Sequence, residues 1–344
     1  MLTYNIISDV PTWDAMKTPW NDLLDHSMTH VPFLRHEFMR EWWDTCGGGE
    51  WEKGELLIIT GHDGDRLVGI APLFRHTGKS GRRRLMLIGS FEIVDYLDFI
   101  VLPEYLDLFL RGLFAFLTTS SIPEWDKLDL YNLLDQTPTI PALKKLSEDF
   151  GWSYHDEVLQ KSPHIDLPGD WEKYLAGIDK KQRHEIRRKM RRAAESAVPV
   201  TWYVLSDPAK LDEDTQAFLD LMGEDEEKAL FLTPRMREQM TNTIQCAFET
   251  GCLHLAFLEI GGVKAAAYMS FDYLNRLWVY NSGIRKSLME YSPGWVLLGY
   301  LLQWANEQGY TEFDFMRGDE EYKYRFGAVD RFVCRIVIER HPSK

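Results

Sequence analysis

The sequence predicts a mixed α/β fold made of two similar units, each with a mostly antiparallel sheet flanked by helices. Strand-like apolar or alternating stretches are interleaved with longer stretches of helical periodicity along all 344 residues. Two strand pairs are joined by tight turns, His62-Asp63-Gly64-Asp65 and Gly261-Gly262, as in antiparallel hairpins. Each hairpin is followed by a strand, an apolar helix and another strand, so the order of elements repeats.

In the first half, turn residues and hydrophobic periodicity separate the elements. Apolar residues at helical spacing predict three helices, over 33–46, 105–119 and 139–150, and Gly151 ends the third. Apolar or β-branched runs predict five strands, over 55–60, 66–74, 84–89, 95–101 and 127–133.

The second half repeats the same order of elements. A cluster of Pro163, Pro168 and Gly169 marks the boundary between the halves. We therefore expect domains at residues 1–165 and 166–344. Predicted helices cover 171–177, 179–197, 212–222, 234–250 and 293–308, and a short helix or loop covers 320–327. Predicted strands cover 199–205, 253–260, 263–273, 277–284, 311–316 and 331–339.

Composition excludes several classes of protein. Hydrophobic residues make up 45% and charged residues 27%, which is ordinary globular usage and excludes a disordered chain or a collagen-like fibre. The net charge of −14 argues against stable DNA binding. The four cysteines have neither metal-site nor disulfide-framework spacing, and neither a secretory signal nor a membrane-spanning run is recognisable. We expect a cytoplasmic protein without a bound metal.

Residues 291–328, YSPGWVLLGYLLQWANEQGYTEFDFMRGDEEYKYRFGA, carry a resemblance to a known family. The pattern resembles the cellulose-biosynthesis-associated, CelD-like (BioF2-like) branch of the GNAT acyltransferases, which is related to the FemAB tandem-GNAT aminoacyltransferases. Weaker similar pieces lie at 32–43, 67–74, 95–101 and 180–192. The resemblance implies two GNAT-like folds and transfer of an acyl or aminoacyl group to an amine. It implies acyl-CoA as cosubstrate and no tightly bound cofactor.

The donor site is expected in the second half. A helix that starts at Pro293 and Gly294 offers free N–H groups and a partial positive charge to a phosphate, and Arg285 lies just upstream. The matching helix of the first half starts with Glu104 and Asp107, which would repel a phosphate. The loop that leads into the helix at Pro293 has one Gly, whereas GNAT proteins usually have a longer Gly-containing motif before their pyrophosphate-binding helix. The alternative is that Pro-Gly only starts a helix well. The resemblance also implies that backbone N–H groups of the preceding strand stabilise the oxyanion. The predicted donor-binding residues are Tyr280, Asn281, Ser282, Arg285, Ser292, Pro293 and Gly294.

Candidate catalytic residues cluster behind the next strand. Asp314 stands between two phenylalanines and needs a partner, so it is either a base or part of a structural ion pair. Amine acylation needs a base, for which Glu320 is the first candidate and Asp314 the second. The resemblance implies a tyrosine that protonates the leaving thiolate, Tyr322 or Tyr324, although both could simply pack. Cations that could contact substrate are Arg187, Arg317, Lys323 and Arg325.

The segment 180–192 has eight Lys or Arg in thirteen residues and one acid, Glu185. As a helix it would dock through an apolar face that includes Ile186 and Met190 and would expose its charges. It could hold a phosphorylated donor, a tRNA, a nucleotide-sugar diphosphate or an anionic membrane surface, or it could be an ordinary charged surface helix.

The resemblance implies an N-acyltransferase acting on a small amine. The resemblance puts an amino sugar of a surface polysaccharide first among acceptors. The alternatives are an aminoacyl-tRNA-dependent transferase acting on a cell-wall precursor and a catalytically inactive GNAT scaffold. A peripheral position at the inner face of the membrane would follow if the basic helix binds lipid.

Overall fold

The computed structural model describes residues 2–51 and 54–340. Contacts divide the chain into two compact units. The first contains Met1–Gln160 and Arg331–Lys344, and the second contains Lys161–Asp330. The second unit is therefore inserted into the sequence of the first.

The first unit contains a mainly antiparallel sheet with the strand order β1-β2-β3-β4-β6-β13, and β5 pairs with β3. The exception is the parallel pair β4 and β6. The strands are β1 Thr3–Ile7, β2 Gly54–Asp63, β3 Arg66–Thr77, β4 Arg83–Leu87, β5 Ile100–Val101, β6 Lys127–Leu134 and β13 Val329–Glu339. The helices are α1 Val10–Asp14, α2 Lys17–Leu24, α3 His36–Asp44, α4 Cys46–Gly49, α5 Leu106–Phe116 and α6 Thr139–Phe150.

The second unit has a sheet with the order β7-β12-β11-β10-β9-β8. Its strands are β7 Ser153–Asp166, which enters this unit at Lys161, β8 Val200–Val204, β9 Leu253–Ile260, β10 Val263–Tyr273, β11 Arg276–Ile284 and β12 Glu312–Asp314. Its helices are α7 Trp171–Gly177, α8 Lys180–Ala194, α9 Leu211–Met222, α10 Glu226–Phe231, α11 Pro234–Glu249, α12 Pro293–Glu307 and α13 Glu321–Arg325. None of the helices in the described ranges is long and apolar enough to span a bilayer.

Helix α12 is the central helix of the second unit's core. It is apolar on nearly every side, with Val296, Leu297, Leu298, Leu301 and Leu302 at 1% exposure or less. Gly299 lets α8 approach closely, because a Cβ atom there would lie 2.9 Å from the Sδ of Met190. The start of α12 is thereby fixed against α8 and the sheet.

The strands β11 and β12 diverge after a short parallel ladder. They pair only through Arg276 with Glu312, Leu277 with Phe313 and Trp278 with Asp314. β12 ends at Asp314, whereas β11 continues to Ile284. Residues 279–284 therefore lack a β12 partner, and the sheet opens on that side.

The predicted mixed α/β architecture, with mostly antiparallel sheets and flanking helices, is confirmed. The predicted strand 95–101 is wrong except for Ile100 and Val101: Leu97 donates its N–H to the Asn132 carbonyl at 2.8 Å, outside any ladder. The predicted domain limits also differ from the two units. Strand β13 pairs with β6, from Val333 opposite Leu134 to Glu339 opposite Lys127, and so belongs to the first unit.

Candidate functional site

A pocket of about 240 Å³ lies in the second unit at the open end of the sheet. Its walls come from α8, β10, the end of β11, the turn into α12, and α13 with the residue that follows it. The lining residues are Lys189, Tyr268, Ser282, Ile284, Met289, Ser292, Pro293, Gly294, Trp295, Leu298, Tyr322 and Phe326. The pocket is mainly apolar, with a few polar groups at its ends, as is typical of small-molecule sites.

The start of α12 presents unpaired donors to this pocket. Ser292 has a left-handed backbone (φ 53°), and its side chain makes no capping hydrogen bond. The first backbone bond of the helix runs from the Val296 N–H to the Ser292 carbonyl, 3.0 Å. Pro293 has no N–H, which leaves those of Gly294 and Trp295 without helical partners. These donors and the helix dipole favour an anionic group here.

The open edge of β11 contributes Ser282. Its N–H donates to Oδ1 of the neighbouring Asn281 at 2.9 Å, so a side chain occupies the position that a β12 partner would take. Its carbonyl accepts from Nζ of Lys228 at 2.6 Å. Burial lowers the pKa of Lys228, although the charges of Asp225 and Glu320 oppose this. Lys228 thus fixes the end of β11 beside the pocket.

Two tyrosines form the polar end of the pocket. The hydroxyls of Tyr268 and Tyr322 are hydrogen-bonded to each other. Burial raises the pKa of both groups above the usual tyrosine value. Both remain protonated at neutral pH. Complete transfer of a proton to a thiolate, whose conjugate acid has a pKa of about 8.5, would be uphill, so these hydroxyls are suited to hydrogen-bond donation.

Glu320 lies next to this tyrosine pair, close enough for its charge to raise the pKa of both hydroxyls. Its Oε2 is 2.8 Å from Nζ of Lys323. Partial burial alone would raise the pKa of Glu320, but the charge and hydrogen bond of Lys323 lower it. Glu320 is therefore an ionised carboxylate at neutral pH.

Gly318 is required for this ion pair. Its φ of 109° is strongly disfavoured for other residues, and a Cβ atom there would lie 2.6 Å from Oε2 of Glu320. The side chain of Lys323 is 3% exposed. Its ammonium group also donates to three backbone carbonyls: Gly318 at 2.9 Å, Arg317 at 3.1 Å and Phe315 at 3.3 Å. Its ammonium group is thus engaged by the protein itself.

The other predicted substrate-binding cations lie outside the pocket lining. Arg325 pairs with Glu321 at 2.7 Å, and Arg187 pairs with Glu172. Arg317 is half-buried, and its backbone carbonyl accepts a hydrogen bond from Nζ of Lys323 at 3.1 Å.

Of the predicted donor residues, Ser282, Ser292, Pro293 and Gly294 line the pocket, and Tyr280, Asn281 and Arg285 do not. Arg285 instead binds Glu224 at 3.1 Å and the carbonyl of Lys264 at 2.9 Å. Tyr280 packs on Phe271, with ring centroids 5.5 Å apart.

Of the predicted catalytic residues, Tyr322 lines the pocket and Glu320 adjoins it. Asp314 is fully buried, and its Oδ1 accepts from the Met316 N–H at 2.7 Å, which fixes the turn after β12. The Tyr324 hydroxyl donates to Asp330 at 2.7 Å. Sequence reasoning missed Tyr268 and Lys228, which no motif marks, and Trp295, which lies within the motif at 291–328 but was not singled out. Lys189 lay inside the basic segment but was not singled out.

One group among the described residues has metal-ligating atoms close together. Atoms of His164, Asp166 and Glu312 lie within 4.8 Å of one another, and Glu312 is directly opposite Asp166 in the ladder of β7 and β12. The side chain of Asp166 is 86% exposed. None of the three residues lines the pocket.

Comparisons with known proteins agree with this geometry. Residues 180–324 match the acetyltransferase (GNAT) domain family. The solved structure of FemX is similar over 96% of both chains, with a TM-score of 0.66 and 10% identity. L-PGS from Bacillus licheniformis is similar over 98% of this chain and 93% of its own, with a TM-score of 0.55 and 13% identity.

A third similar structure is the C-terminal domain of a putative lysylphosphatidylglycerol synthetase from Agrobacterium fabrum. It has a TM-score of 0.55 and 10% identity, over 95% of this chain and 92% of that chain. No curated protein matches in sequence. At these identities the structural similarities establish the fold alone, and the family match covers residues 180–324. Residues 180–324 are thus similar to the acetyltransferase (GNAT) domain family, within a chain whose fold is similar to that of FemX.

Proposed function

We propose that the protein is an N-acyltransferase that moves an acyl group from an acyl thioester, acyl-CoA, to an amine. The observation that carries this proposal is the divergence of β11 from β12 directly beside the start of α12. A thioester can lie along the open strand edge while a phosphate meets the helix N-terminus. The pocket lining between them is apolar enough for an acyl or alkyl chain.

The side chains suit the chemistry of amide formation. The Glu320 carboxylate accepts a proton from the attacking amine, whose nitrogen forms a bond to the thioester carbonyl carbon. The N–H of Ser282, released from Asn281, stabilises the oxyanion. The carbon–sulfur bond then breaks, Tyr322 and Tyr268 hydrogen-bond the departing thiolate, and the proton taken by Glu320 ends on the sulfur. An amide and a free thiol are the products.

The acceptor in this proposal is an amino sugar of a surface polysaccharide. It is supported by the resemblance of residues 291–328 to the CelD-like branch. Because Lys323 is engaged by four protein oxygens, an uncharged amino sugar fits better near Glu320 than an acceptor that needs a free lysine.

The test measures CoA thiol release from acyl-CoAs of two to sixteen carbons with a panel of amino sugars. We expect release to depend on both substrates. Glu320→Gln should lower kcat about 100-fold or more, the usual size of a general-base contribution.

Glu321→Gln is the matched control, since Glu321 is adjacent but its side chain is 80% exposed and pairs only with Arg325 among described residues. It should retain activity. Equal activity of wild type and Glu320→Gln would eliminate the base assignment. Absence of thiol release with every pair, together with no thermal stabilisation by any acyl-CoA, would eliminate the thioester donor.

A second candidate is transfer of an aminoacyl group from a tRNA. It is favoured by the fold similarity to FemX and by four cations of α8 that have no partner among residues 2–51 and 54–340: Lys180, Lys181, Arg191 and Arg192. Aminoacyl-tRNA should then bind with a steep salt dependence, and acyl-CoA should give no product.

A further inference from the structure

A second cavity adjoins the C-terminal half of α8. It measures about 380 Å³ and is lined by Arg188, Arg191, Arg192, Glu195, Ser196 and Tyr291. The three arginines are three and four positions apart, so they share one face of the helix. We call this cavity the arginine groove.

Half of the eight Lys and Arg side chains of α8 already have partners. Arg188 makes a bidentate contact with Glu185 at 2.7 and 2.8 Å, and Arg183 bonds the carbonyls of Leu175 and Ala176, each at 3.3 Å. Within residues 2–51 and 54–340, by contrast, no acidic side chain pairs with Arg191 or Arg192. With Glu195 in the same lining, the groove keeps an excess of positive charge.

The arginine groove and the donor pocket meet along two chain segments. Tyr291 lines the groove, and the next residue, Ser292, lines the pocket. Likewise Arg188 lines the groove, and Lys189 lines the pocket, with its Nζ 4.2 Å from the Trp295 ring centroid. A ligand whose phosphate lies at the start of α12 therefore has the groove directly beside it.

We propose that the arginine groove binds the 3′-phosphorylated nucleotide end of CoA. This inference rests on the proposed function, because it assigns the remote end of the same donor. A phosphate monoester carries nearly two negative charges at pH 7, which matches the two unpaired guanidinium groups of Arg191 and Arg192. RNA phosphodiesters carry one charge each and would be expected to use a longer row of cations. Tyr291 adds an aromatic ring beside the arginines for the nucleotide base.

The test compares the binding of CoA and dephospho-CoA, which lacks only the 3′-phosphate, by calorimetry of the whole protein at fixed ionic strength. Wild type should bind CoA about tenfold more tightly, as expected for charge-assisted hydrogen bonds to one phosphate. The double variant Arg191→Gln/Arg192→Gln should lose this preference and bind dephospho-CoA as wild type does. The control, Lys180→Gln/Lys181→Gln, removes the same charge from the first turn of α8 and should keep the preference.

The possible results separate the two proposals. Equal binding of CoA and dephospho-CoA by wild type, or an unchanged preference in the Arg191→Gln/Arg192→Gln variant, would overturn the groove assignment and leave the thioester donor standing. If neither compound binds, the CoA donor and the groove assignment both fail. If an RNA hairpin that ends in a tRNA acceptor sequence loses binding in the arginine variant, and CoA does not, the groove belongs to an RNA and the assignment is wrong.

Discussion

Lys323 shows how a single buried cation can organise a loop. Its ammonium group faces Glu320 and three backbone carbonyls of the loop 315–318. Lys323→Met would leave these oxygens without their donor and should lower the free energy of unfolding by about 2–4 kcal/mol. Urea unfolding followed by circular dichroism measures this.

Arg325→Met is the control for that variant. Arg325 also forms an ion pair with a glutamate, Glu321 of α13, but its side chain is 45% exposed. Arg325→Met should lower the free energy of unfolding by less than about 1 kcal/mol. Equal losses in the two variants would contradict the role given to Lys323.

The burial of His254 should make the free energy of unfolding depend on pH. Burial in β9 against Trp304 lowers its pKa to about 4, below the unfolded value of 6.5. The unfolded chain therefore binds an extra proton between these two values, and stability falls as the pH drops from 6.5 to 4, by about 3 kcal/mol. Above pH 6.5 the residue makes no such contribution.

The measurement is the free energy of unfolding of wild type and His254→Leu from pH 7.5 to 4. The difference between them should change across this window in favour of the variant. A constant difference would show that His254 is protonated in the folded state or is not buried.

At the residue scale, the sequence led to the parts of the site that lie in one contiguous motif. Ser292, Gly294, Glu320 and Tyr322 lie within 31 residues of each other, and their spacing marks them. Tyr268 lies in an apolar strand and Lys228 in an acidic helix, so neither stands out. Only the sheet register, which places Tyr268 opposite Ser282, brings Tyr268 to the pocket.

At the scale of elements, Gly294 couples the start of α12 to the end of β11. A Cβ atom there would lie 2.5 Å from Cδ1 of Ile284, which lines the pocket. Gly294→Ala should therefore push Ile284 into the pocket and weaken donor binding about tenfold, the effect expected of overpacking by one methyl group. The melting temperature should change little, because the displaced atom is at the end of a side chain.

Gly177→Ala provides the comparison, since a Cβ atom there meets nothing within 4 Å. It should leave donor affinity unchanged. Unchanged affinity of the Gly294 variant for acyl-CoA would place the donor elsewhere.

Elements with strong local signals were predictable, and those stabilised by tertiary contacts were not. The Pro-Gly start and Gly309 stop located α12 to within one residue. The apolar run 95–101 led to a wrong strand prediction, because its residues are buried but, before Ile100, pair with no other strand. Within it, the carboxylate of Asp98 accepts hydrogen bonds from the hydroxyls of Thr29 and Thr137 at 2.6 Å each. Strand β7 is mostly exposed along Ser153–Gln160, so it lacks the alternation that would reveal it.

At the scale of the whole molecule, the predicted first domain, residues 1–165, should not fold by itself. It lacks β13, whose Val333, Ile336 and Ile338 are fully buried and whose ladder covers β6. Loss of three such side chains removes about 5–8 kcal/mol, comparable to the stability of a typical domain. Circular dichroism and thermal melting of the fragment should show no cooperative transition.

Residues 1–160 joined through a flexible linker to residues 331–344 should restore a cooperative transition. Cooperative unfolding of residues 1–165 alone would show that β13 is dispensable. The sequence could not reveal this arrangement, because a single late strand has the same pattern whichever sheet it joins, and the repeated order of elements favoured a simple division in two.

The return of the chain to its first unit has a consequence for biosynthesis. A ribosome must translate past residue 330 before the strand that completes the first unit becomes available. The inserted second unit can therefore acquire its fold on the nascent chain before the first unit is complete, although most of the first unit is synthesised earlier. Release of the chain before residue 331 would thus leave the first unit without the strand that completes its sheet.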